Sequence, residues 1–344
     1  MSKPNRQPDN RPGDNATRFE TVLIEISGTC NAKCPWCITG CGGHPHGGMM
    51  SRDDFRRCVE RLEALGVIRP GSTINLYSWG EPTLNRNLDD MLAFLGQRGL
   101  RGEISTNAIK PYLPTASAAQ GLAKVMFSVS GITDRSEMRM HGVPASRVLD
   151  NIEAMLNHLR GHGWQGAATM SFHIYQHNVN EGVEANDWCD RHGVKFAPYF
   201  AYFNNFHMAE AYLAGHMERS VLMRVSKELM LFYVDDLIAQ MPPAWSCTLR
   251  NKQLVIDEKS NVRTCCALPN DHGECVLGSI FDLDLDDIQS MKDRRRVCNG
   301  CEKSGSAWWA THVQGGRFFE KCIEDHQARM KIHRAFPLPV RRLL

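Results

Sequence analysis

The chain has 344 residues, 42% of them hydrophobic, and a formal net charge of +2. This hydrophobic content excludes a largely disordered protein, and the near-neutral charge does not indicate a nucleic-acid partner. No apolar run reaches the roughly 18 residues needed to span a membrane. Residues 1–19 are mostly polar and contain no hydrophobic core, so they predict a disordered lead without a signal peptide. We therefore expect a cytoplasmic protein.

Strand-like and helix-like runs alternate through residues 20–200. The expected strands are 20–26, 73–77, 102–105, 125–129, 168–174 and 194–200, and the expected helices are 51–65, 88–98, 147–160 and 181–192. Ser51, followed by two acidic residues, is typical of a helix start, and Gly99 of a helix stop. This repetition predicts an α/β protein with a parallel sheet and right-handed crossovers.

Three closely spaced cysteines follow the first expected strand. Cys30, Cys34 and Cys37 stand in the run GTCNAKCPWC, with the spacing CxxxCxxC. Three thiolates at this spacing suit a metal cluster better than a disulfide framework, and they leave one iron of a four-iron cluster open. A structural zinc site is the alternative, although zinc usually takes four ligands.

The CxxxCxxC spacing, with Trp36 directly before the third cysteine, resembles the radical S-adenosylmethionine (SAM) superfamily. The resemblance implies a partial (β/α)6 TIM-like barrel over residues 20–200 and a 4Fe–4S cluster whose open iron binds SAM. It also implies an electron donor such as flavodoxin or ferredoxin. In that superfamily one electron cleaves SAM, and the resulting 5′-deoxyadenosyl radical abstracts a hydrogen atom from the substrate.

Polar residues end several of the expected strands, as in a barrel whose active site lies at the C-terminal face. The run from Ser78 to Pro82 resembles the family's GGEP segment, whose backbone contacts the methionine amino group, and VMFSVSG resembles its SIDG-like segment. Ordinary turns and a solvated arginine are the alternatives. The expected SAM-binding residues are Trp36, Ser78, Trp79, Gly80, Glu81, Pro82, Ser105, Asn107, Ser128, Ser130 and Arg139. Weaker candidates are His173, Gln176, His177 and Asn178.

Residues 201–244 are rich in aromatic residues, Met and His. We expect a helical linker or lid with one long helix over residues 219–240. Its aromatic side chains have two possible roles: they pack in the core, or they belong to a loop that faces the substrate.

The C-terminal part carries a second group of cysteines. Cys247 is followed by the doublet Cys265–Cys266 and by a CxxC pair, Cys298 and Cys301, and the run between the first two predicts a β-hairpin with its turn at residues 258–261. Residues 245–302 resemble the twitch domain, a short form of the SPASM module. The resemblance implies one auxiliary 4Fe–4S cluster held by Cys247, Cys265, Cys298 and Cys301. A zinc ribbon is the alternative, and residues 303–344 form a tail.

Cys266 is then a free thiol beside the active site. In related epimerases a cysteine returns a hydrogen atom to the substrate radical, so Cys266 is a candidate catalytic residue. An alternative cluster ligand or a buried apolar residue is an equally open interpretation.

Three functions remain at this level. The first is dehydrogenation or epimerisation of a small hydroxylated molecule, such as a sugar, aminocyclitol or nucleoside. The second is modification of a ribosomally made peptide, although many such enzymes have a peptide-recognition domain where this chain shows only a short polar stretch before its first strand. The third is a non-catalytic zinc-binding scaffold. Neither a nucleic acid nor a membrane is an expected partner.

Overall fold

A computed structural model describes residues 19–40, 47–201, 203 and 205–312, without the side chains of residues 232–235. Residues 1–18 of the expected disordered lead and most of the expected tail lie outside these residues, whereas Phe19 is described and buried. No helix within the described ranges is both long and apolar enough to cross a membrane.

One open sheet of nine strands organises the protein, in the order β6-β5-β4-β3-β2-β1-β7-β8-β9. The strands are β1 Thr21–Ile24, β2 Thr73–Asn75, β3 Arg101–Thr106, β4 Leu122–Val129, β5 Ala167–Ile174, β6 Lys195–Phe200, β7 Gln253–Ile256, β8 Asn261–Arg263 and β9 Val276–Ser279. Strands β1 to β6 pair in parallel, and the sheet does not close. The predicted α/β class and partial barrel are confirmed.

Thirteen α-helices are described. They are α1 Arg52–Ala64, α2 Leu88–Gln97, α3 Ala116–Gly121, α4 Asp134–Met140, α5 Ala145–Gly161, α6 Gly182–His192, α7 Phe206–Leu213, α8 Arg219–Val225, α9 Leu231–Ile238, α10 Thr248–Lys252, α11 Leu285–Asp293, α12 Arg296–Ser304 and α13 Ser306–His312. The predicted start of α1 is confirmed, because the Ser51 side chain accepts a hydrogen bond from Asp54 N at 3.0 Å. Gly99 follows α2 with a φ of 68°, as its stop requires.

Alternation along the parallel strands decides which side chains reach the barrel interior. In β3, Gly102, Ile104 and Thr106 are buried, while the residues between them are half-buried. A Cβ at Gly102 would lie 2.6 Å from Leu92 Cδ2 on α2, so this face packs on the helices. Ser105 therefore points to the other face, toward the inside of the barrel.

The prediction of one helix over residues 219–240 is wrong. The segment forms α8 and α9, separated by residues 226–230. Gln176, which follows β5, donates from its backbone N to Glu228 O at 2.9 Å and from its side chain to Leu229 O at 2.7 Å. These carbonyls at the end of α8 thus bond to the β5 loop instead of continuing the helix.

The predicted C-terminal hairpin is confirmed, and its turn is held by Asp257. The Asp257 carboxylate accepts hydrogen bonds from Lys259 N at 2.9 Å and Asn261 N at 2.8 Å. The sequence did not predict that β7 would pair in parallel with β1 over four residues. The barrel and the C-terminal hairpin therefore share one sheet.

Candidate active site

The loop after β1 brings its three cysteines to one cavity of about 160 Å³. Cys37 N donates to Cys34 O at 3.2 Å, which closes a tight turn between them. A Cβ at Gly40 would lie 2.4 Å from Cys34 N, so only glycine lets the chain pass this turn. The structure thus places Cys30, Cys34 and Cys37 together, as the motif predicts.

The surroundings of these thiols fit a metal cluster. Cys30 Sγ accepts hydrogen bonds from Ala32 N at 3.5 Å and from Asn107 Nδ2 at 3.7 Å. Burial raises the pKa of the Cys30 thiol, and it raises the pKa of Cys37 to about 11. Such thiols ionise when a metal binds them, because the metal ligand is the thiolate. Among the described residues, no group of three or more His, Cys, Asp or Glu side chains is placed to hold a single metal ion.

The loop after β2 runs against the cysteine loop at backbone distance. A Cβ at Gly80 would lie 1.8 Å from Ser27 O, so no larger residue fits there. Glu81 N donates to Thr29 O at 2.7 Å. Trp79 N and Gly80 N both donate to one Glu25 carboxylate oxygen, at 2.6 and 3.1 Å. Gly80 and Glu81 line the cavity of the three cysteines.

Glu81 holds the strand ends together. Its side chain is buried and accepts hydrogen bonds from Asn107 N at 2.8 Å and from Thr83 N at 3.1 Å and Oγ1 at 2.7 Å. Burial raises its pKa, and these hydrogen bonds oppose the rise. Pro82 begins the short 3₁₀-helix Pro82–Leu84 that follows. The Glu81 carboxylate is therefore committed to the fold of the loop.

A second cavity, of about 400 Å³, adjoins the first. Four residues line both of them: Ser105, Ser128, His173 and Tyr199. Trp36 and Asn107 line only the smaller cavity, and Ser78 and Trp79 only the larger one. The sequence did not single out Tyr199 or Ser171, although alternation along β5 and β6 places both on the interior face.

Ser130 lies one layer behind the cavities. Its Oγ is 3.0 Å from His173 Nδ1 and 3.4 Å from His141 Nε2, and its backbone N donates to Glu137 Oε2 at 2.8 Å. Asn178 Nδ2 donates to Ser130 O at 2.7 Å. Ser130 therefore orients His173, which itself faces both cavities.

Arg139 on α4 pairs with Glu228, and its side chain is 43% exposed. It is not among the residues that line either cavity, so its contact with the SAM carboxylate stays a prediction. His177 Nδ1 lies 3.6 Å from the same Glu228 carboxylate.

One wall of the larger cavity lies opposite the barrel strands and contains five cysteines. This five-cysteine wall consists of Cys247, Cys265, Cys266, Cys298 and Cys301. They come from three elements. Cys247 directly precedes α10, the doublet follows β8, and the last two are one turn apart on α12. Burial, and after it the neighbouring thiols of this group, raise the pKa of Cys266 and of Cys298 to about 12 each. The donor set fits one four-thiolate cluster with one thiol left over.

A buried ion pair connects the two groups of cysteines. Arg263, on β8, places its Nη1 3.1 Å from Glu25 Oε2, and the two side chains are 0% and 1% exposed. The same Glu25 carboxylate accepts the hydrogen bonds from the Trp79 and Gly80 amides. Burial raises the pKa of Glu25 to about 7, although the positive charge of Arg263 favours the carboxylate and acts to lower the pKa.

Residues 24–183 match the sequence profile described as the Radical SAM superfamily. The chain carries a radical SAM domain. The prediction from the CxxxCxxC motif is thereby confirmed, and with it the 4Fe–4S cluster and SAM that this family uses.

Curated relatives resemble the chain over part of their length. The AdoMet-dependent heme synthase of Nitratidesulfovibrio vulgaris is 23% identical over 163 residues, which are 47% of this chain and 41% of the relative. The PqqA peptide cyclase of Rhodopseudomonas palustris is 29% identical over 112 residues, 32% of this chain and 28% of the relative. The chain therefore matches less than half the length of these relatives.

Solved structures show the same fold. Streptococcus suis SuiB bound to the precursor peptide SuiA superposes with a TM-score of 0.54 at 16% identity, covering 79% of this chain and 65% of that one. Native anSMEcpe with bound AdoMet superposes with a TM-score of 0.50 at 15% identity, covering 78% and 79% of the two chains. At these low identities the superpositions show a shared fold and nothing further.

Proposed function

We propose that this protein is a radical SAM oxidoreductase or epimerase that removes a hydrogen atom from a small hydroxylated molecule. The observation that carries the proposal is the position of the larger cavity. It shares four residues with the cavity of the CxxxCxxC cysteines and reaches five further cysteines on its other side. A substrate in this cavity would lie between the two groups of thiols.

The lining of the larger cavity favours a neutral substrate with hydroxyl groups. Within the part of the chain that the structure describes, Ser78 Oγ and Trp79 Nε1 are buried without a hydrogen-bond partner. Arg250 is the only lining residue with a permanent charge among those described, and Glu302 lies 3.0 Å from it. Burial lowers the pKa of His173 to about 3, so its ring is neutral near pH 7. This lining fits a sugar or nucleoside better than a cationic aminocyclitol, because buried charges require a counter-charge.

The residues around the smaller cavity would bind and orient SAM. The amides of Trp79 and Gly80 donate to Glu25, and the carbonyl groups of this loop would accept hydrogen bonds from the methionine amino group. With cluster and SAM bound, and an electron from a cytoplasmic donor such as flavodoxin or ferredoxin, the site supplies a carbon-centred radical that takes a substrate hydrogen atom. Ser105, Ser128, His173 and Tyr199, which line both cavities, would contact SAM and substrate at the point of transfer.

Two outcomes are open for the substrate radical, and each uses the wall of five cysteines. For dehydrogenation, Cys247, Cys265, Cys298 and Cys301 would hold an auxiliary 4Fe–4S cluster, which would supply a one-electron acceptor beside the substrate, and the substrate hydroxyl group would lose a proton. In epimerisation, Cys266 would give the hydrogen atom of its thiol to the opposite face of the radical carbon, and one electron from the donor together with one proton would return the sulfur radical to the thiol. The second transfer is downhill, because an S–H bond is weaker than the C–H bond that forms.

Modification of a ribosomally made peptide is the second candidate. It is favoured by the PqqA peptide cyclases among the relatives and by the fold shared with SuiB, whose structure contains a precursor peptide. The third expectation, a non-catalytic zinc scaffold, is not proposed again, because the chain carries a radical SAM domain and this family uses a 4Fe–4S cluster.

The proposal is tested by anaerobic reconstitution and turnover in deuterated water. Neutral sugars, nucleosides, aminocyclitols and peptides are supplied in parallel, and products are analysed by mass spectrometry. Deuterium at one carbon with inverted configuration identifies epimerisation, and loss of two hydrogen atoms identifies dehydrogenation. Turnover of peptides alone would contradict the proposal. Ser78→Ala and Trp79→Phe serve as matched variants, since each removes one unpartnered polar atom, and both should raise KM for the hydroxylated substrate.

A further inference from the structure

Lys292 is a fully buried cation on α11. Its relative exposure is 0%. Its ammonium group donates a hydrogen bond to Gln253 O at 2.5 Å and lies 5.3 Å from the centre of the Phe19 ring. Among the described residues, no carboxylate forms an ion pair with it. A buried charge without a counter-charge is costly, so this arrangement needs an explanation.

The charged groups that act on Lys292 are the cysteines of the five-cysteine wall. Gln253 connects the two, because its backbone carbonyl binds Lys292 while its side chain accepts a hydrogen bond from Cys266 N at 3.4 Å. Burial lowers the pKa of Lys292 to about 8, and four thiols oppose that shift: Cys265, Cys298, Cys266 and Cys247. The negative charge that would compensate Lys292 therefore comes from this wall.

We propose that Lys292 is the counter-charge of the auxiliary cluster and holds its reduction potential up, toward easier reduction. The inference rests on the auxiliary cluster of the proposed function. A four-iron cluster with four thiolates is negatively charged and gains one further negative charge when it is reduced. A buried cation nearby stabilises the reduced state more than the oxidised state, and net charge is one of the determinants of such potentials.

The test measures the potential of the auxiliary cluster alone. In the Cys30/Cys34/Cys37→Ala background, an EPR-monitored redox titration reports only the second cluster. Lys292→Met, which removes the charge and keeps a long side chain, should shift the midpoint to a more negative potential. Lys292→Gln, which keeps a donor for Gln253 O, should shift it in the same direction. Lys303→Met on α12 is the control with the same loss of charge at an exposed position, and it should leave the midpoint unchanged.

Each outcome decides the proposal. If iron is retained and the midpoint does not move in either Lys292 variant, Lys292 only supports the backbone and the proposal is wrong. A shift in Lys292→Met but not in Lys292→Gln would assign the effect to the hydrogen bond and also overturn it. Loss of folded protein in both variants would assign Lys292 to the fold. Absence of any iron in the background protein would instead refute the auxiliary cluster itself.

Discussion

At the scale of single residues, Gly80 shows how closely the two loops of the smaller cavity approach each other. We expect Gly80→Ala to weaken SAM binding by about fivefold or more, because the added Cβ overlaps Ser27 O at 1.8 Å and must push the loops apart. Such overpacking costs roughly 1–3 kcal/mol. Equilibrium binding of SAM to the reconstituted protein measures the effect.

Gly48→Ala is the matched control for this prediction. A Cβ at Gly48 meets no atom within 4 Å, and the residue is exposed. It should bind SAM like the unchanged protein. Equal SAM affinity of both alanine variants would show that the contact between the loops does not form the SAM site.

The cysteine doublet gives a second prediction at this scale. Cys265→Ala should lose the auxiliary cluster, whereas Cys266→Ala should keep it, because a ligand holds iron and a hydrogen donor does not. If the enzyme is an epimerase, Cys266→Ala should still form 5′-deoxyadenosine but stall before product. Iron content and product analysis of the two variants are the measurements. Full product formation by Cys266→Ala would leave this thiol as packing and favour dehydrogenation.

At the scale of secondary-structure elements, the Glu25–Arg263 pair joins β1 to β8 across β7. Removing one partner of a buried pair leaves an uncompensated charge, which costs about 3–5 kcal/mol. We therefore expect Arg263→Met to reduce the free energy of unfolding by about this amount, and Glu25→Gln/Arg263→Met to reduce it by less. Denaturant unfolding gives the free energy of unfolding of these two variants, of Glu25→Gln and of the unchanged protein, which together form a double-mutant cycle.

An exposed pair at the other end of β1 is the control. Lys252 Nζ lies 2.6 Å from Glu20 Oε1, with side chains 52% and 59% exposed. It also connects the first strand to the C-terminal part, yet exposed pairs contribute only about 0–1 kcal/mol. If Glu20→Gln reduced the free energy of unfolding as much as Arg263→Met, burial would not be the reason for the contribution of the Glu25–Arg263 pair.

Sequence patterns were reliable where local chemistry decides the outcome. The capping of α1 by Ser51, the stop at Gly99 and the hairpin turn held by Asp257 all follow from short-range hydrogen bonds. The break between α8 and α9 was not predictable in this way, because it depends on Gln176 from the distant β5 loop. The position of the Arg139 side chain was not predictable either, because its carboxylate partner lies 89 residues further along the chain.

At the scale of the whole molecule, the two groups of cysteines predict two separable clusters. The reconstituted protein should hold about eight irons, four per cluster. Cys30/Cys34/Cys37→Ala should halve this number and abolish SAM cleavage.

Variants of the second group provide the comparison. Cys247→Ala or Cys298→Ala should also lose about four irons, yet still cleave SAM. Iron analysis together with 5′-deoxyadenosine assays checks both sets. An unchanged iron count in the triple variant would refute the CxxxCxxC assignment, and an unchanged count in the single variants would refute the auxiliary ligand set.

The motif alone predicted the chemistry of the smaller cavity, since three cysteines in eight residues fix their own spacing. It could not predict the larger cavity. That space exists because β7 pairs with β1 and carries the doublet of the hairpin toward the strand ends of the barrel. Pairing between strands that are more than 200 residues apart leaves no local signal in either strand.

The same pairing decides which strands are left at the margins of the sheet. With β7 in place, β1 is interior and the margins are β6 and β9. A protein cut off after residue 244 would expose the backbone N–H and C=O groups of β1, whose side chains at Val22, Leu23 and Ile24 are apolar. Such an unpaired apolar edge is a template for strand exchange between molecules. The C-terminal hairpin therefore covers this edge and protects the barrel from aggregation, whether or not its cysteines bind a cluster.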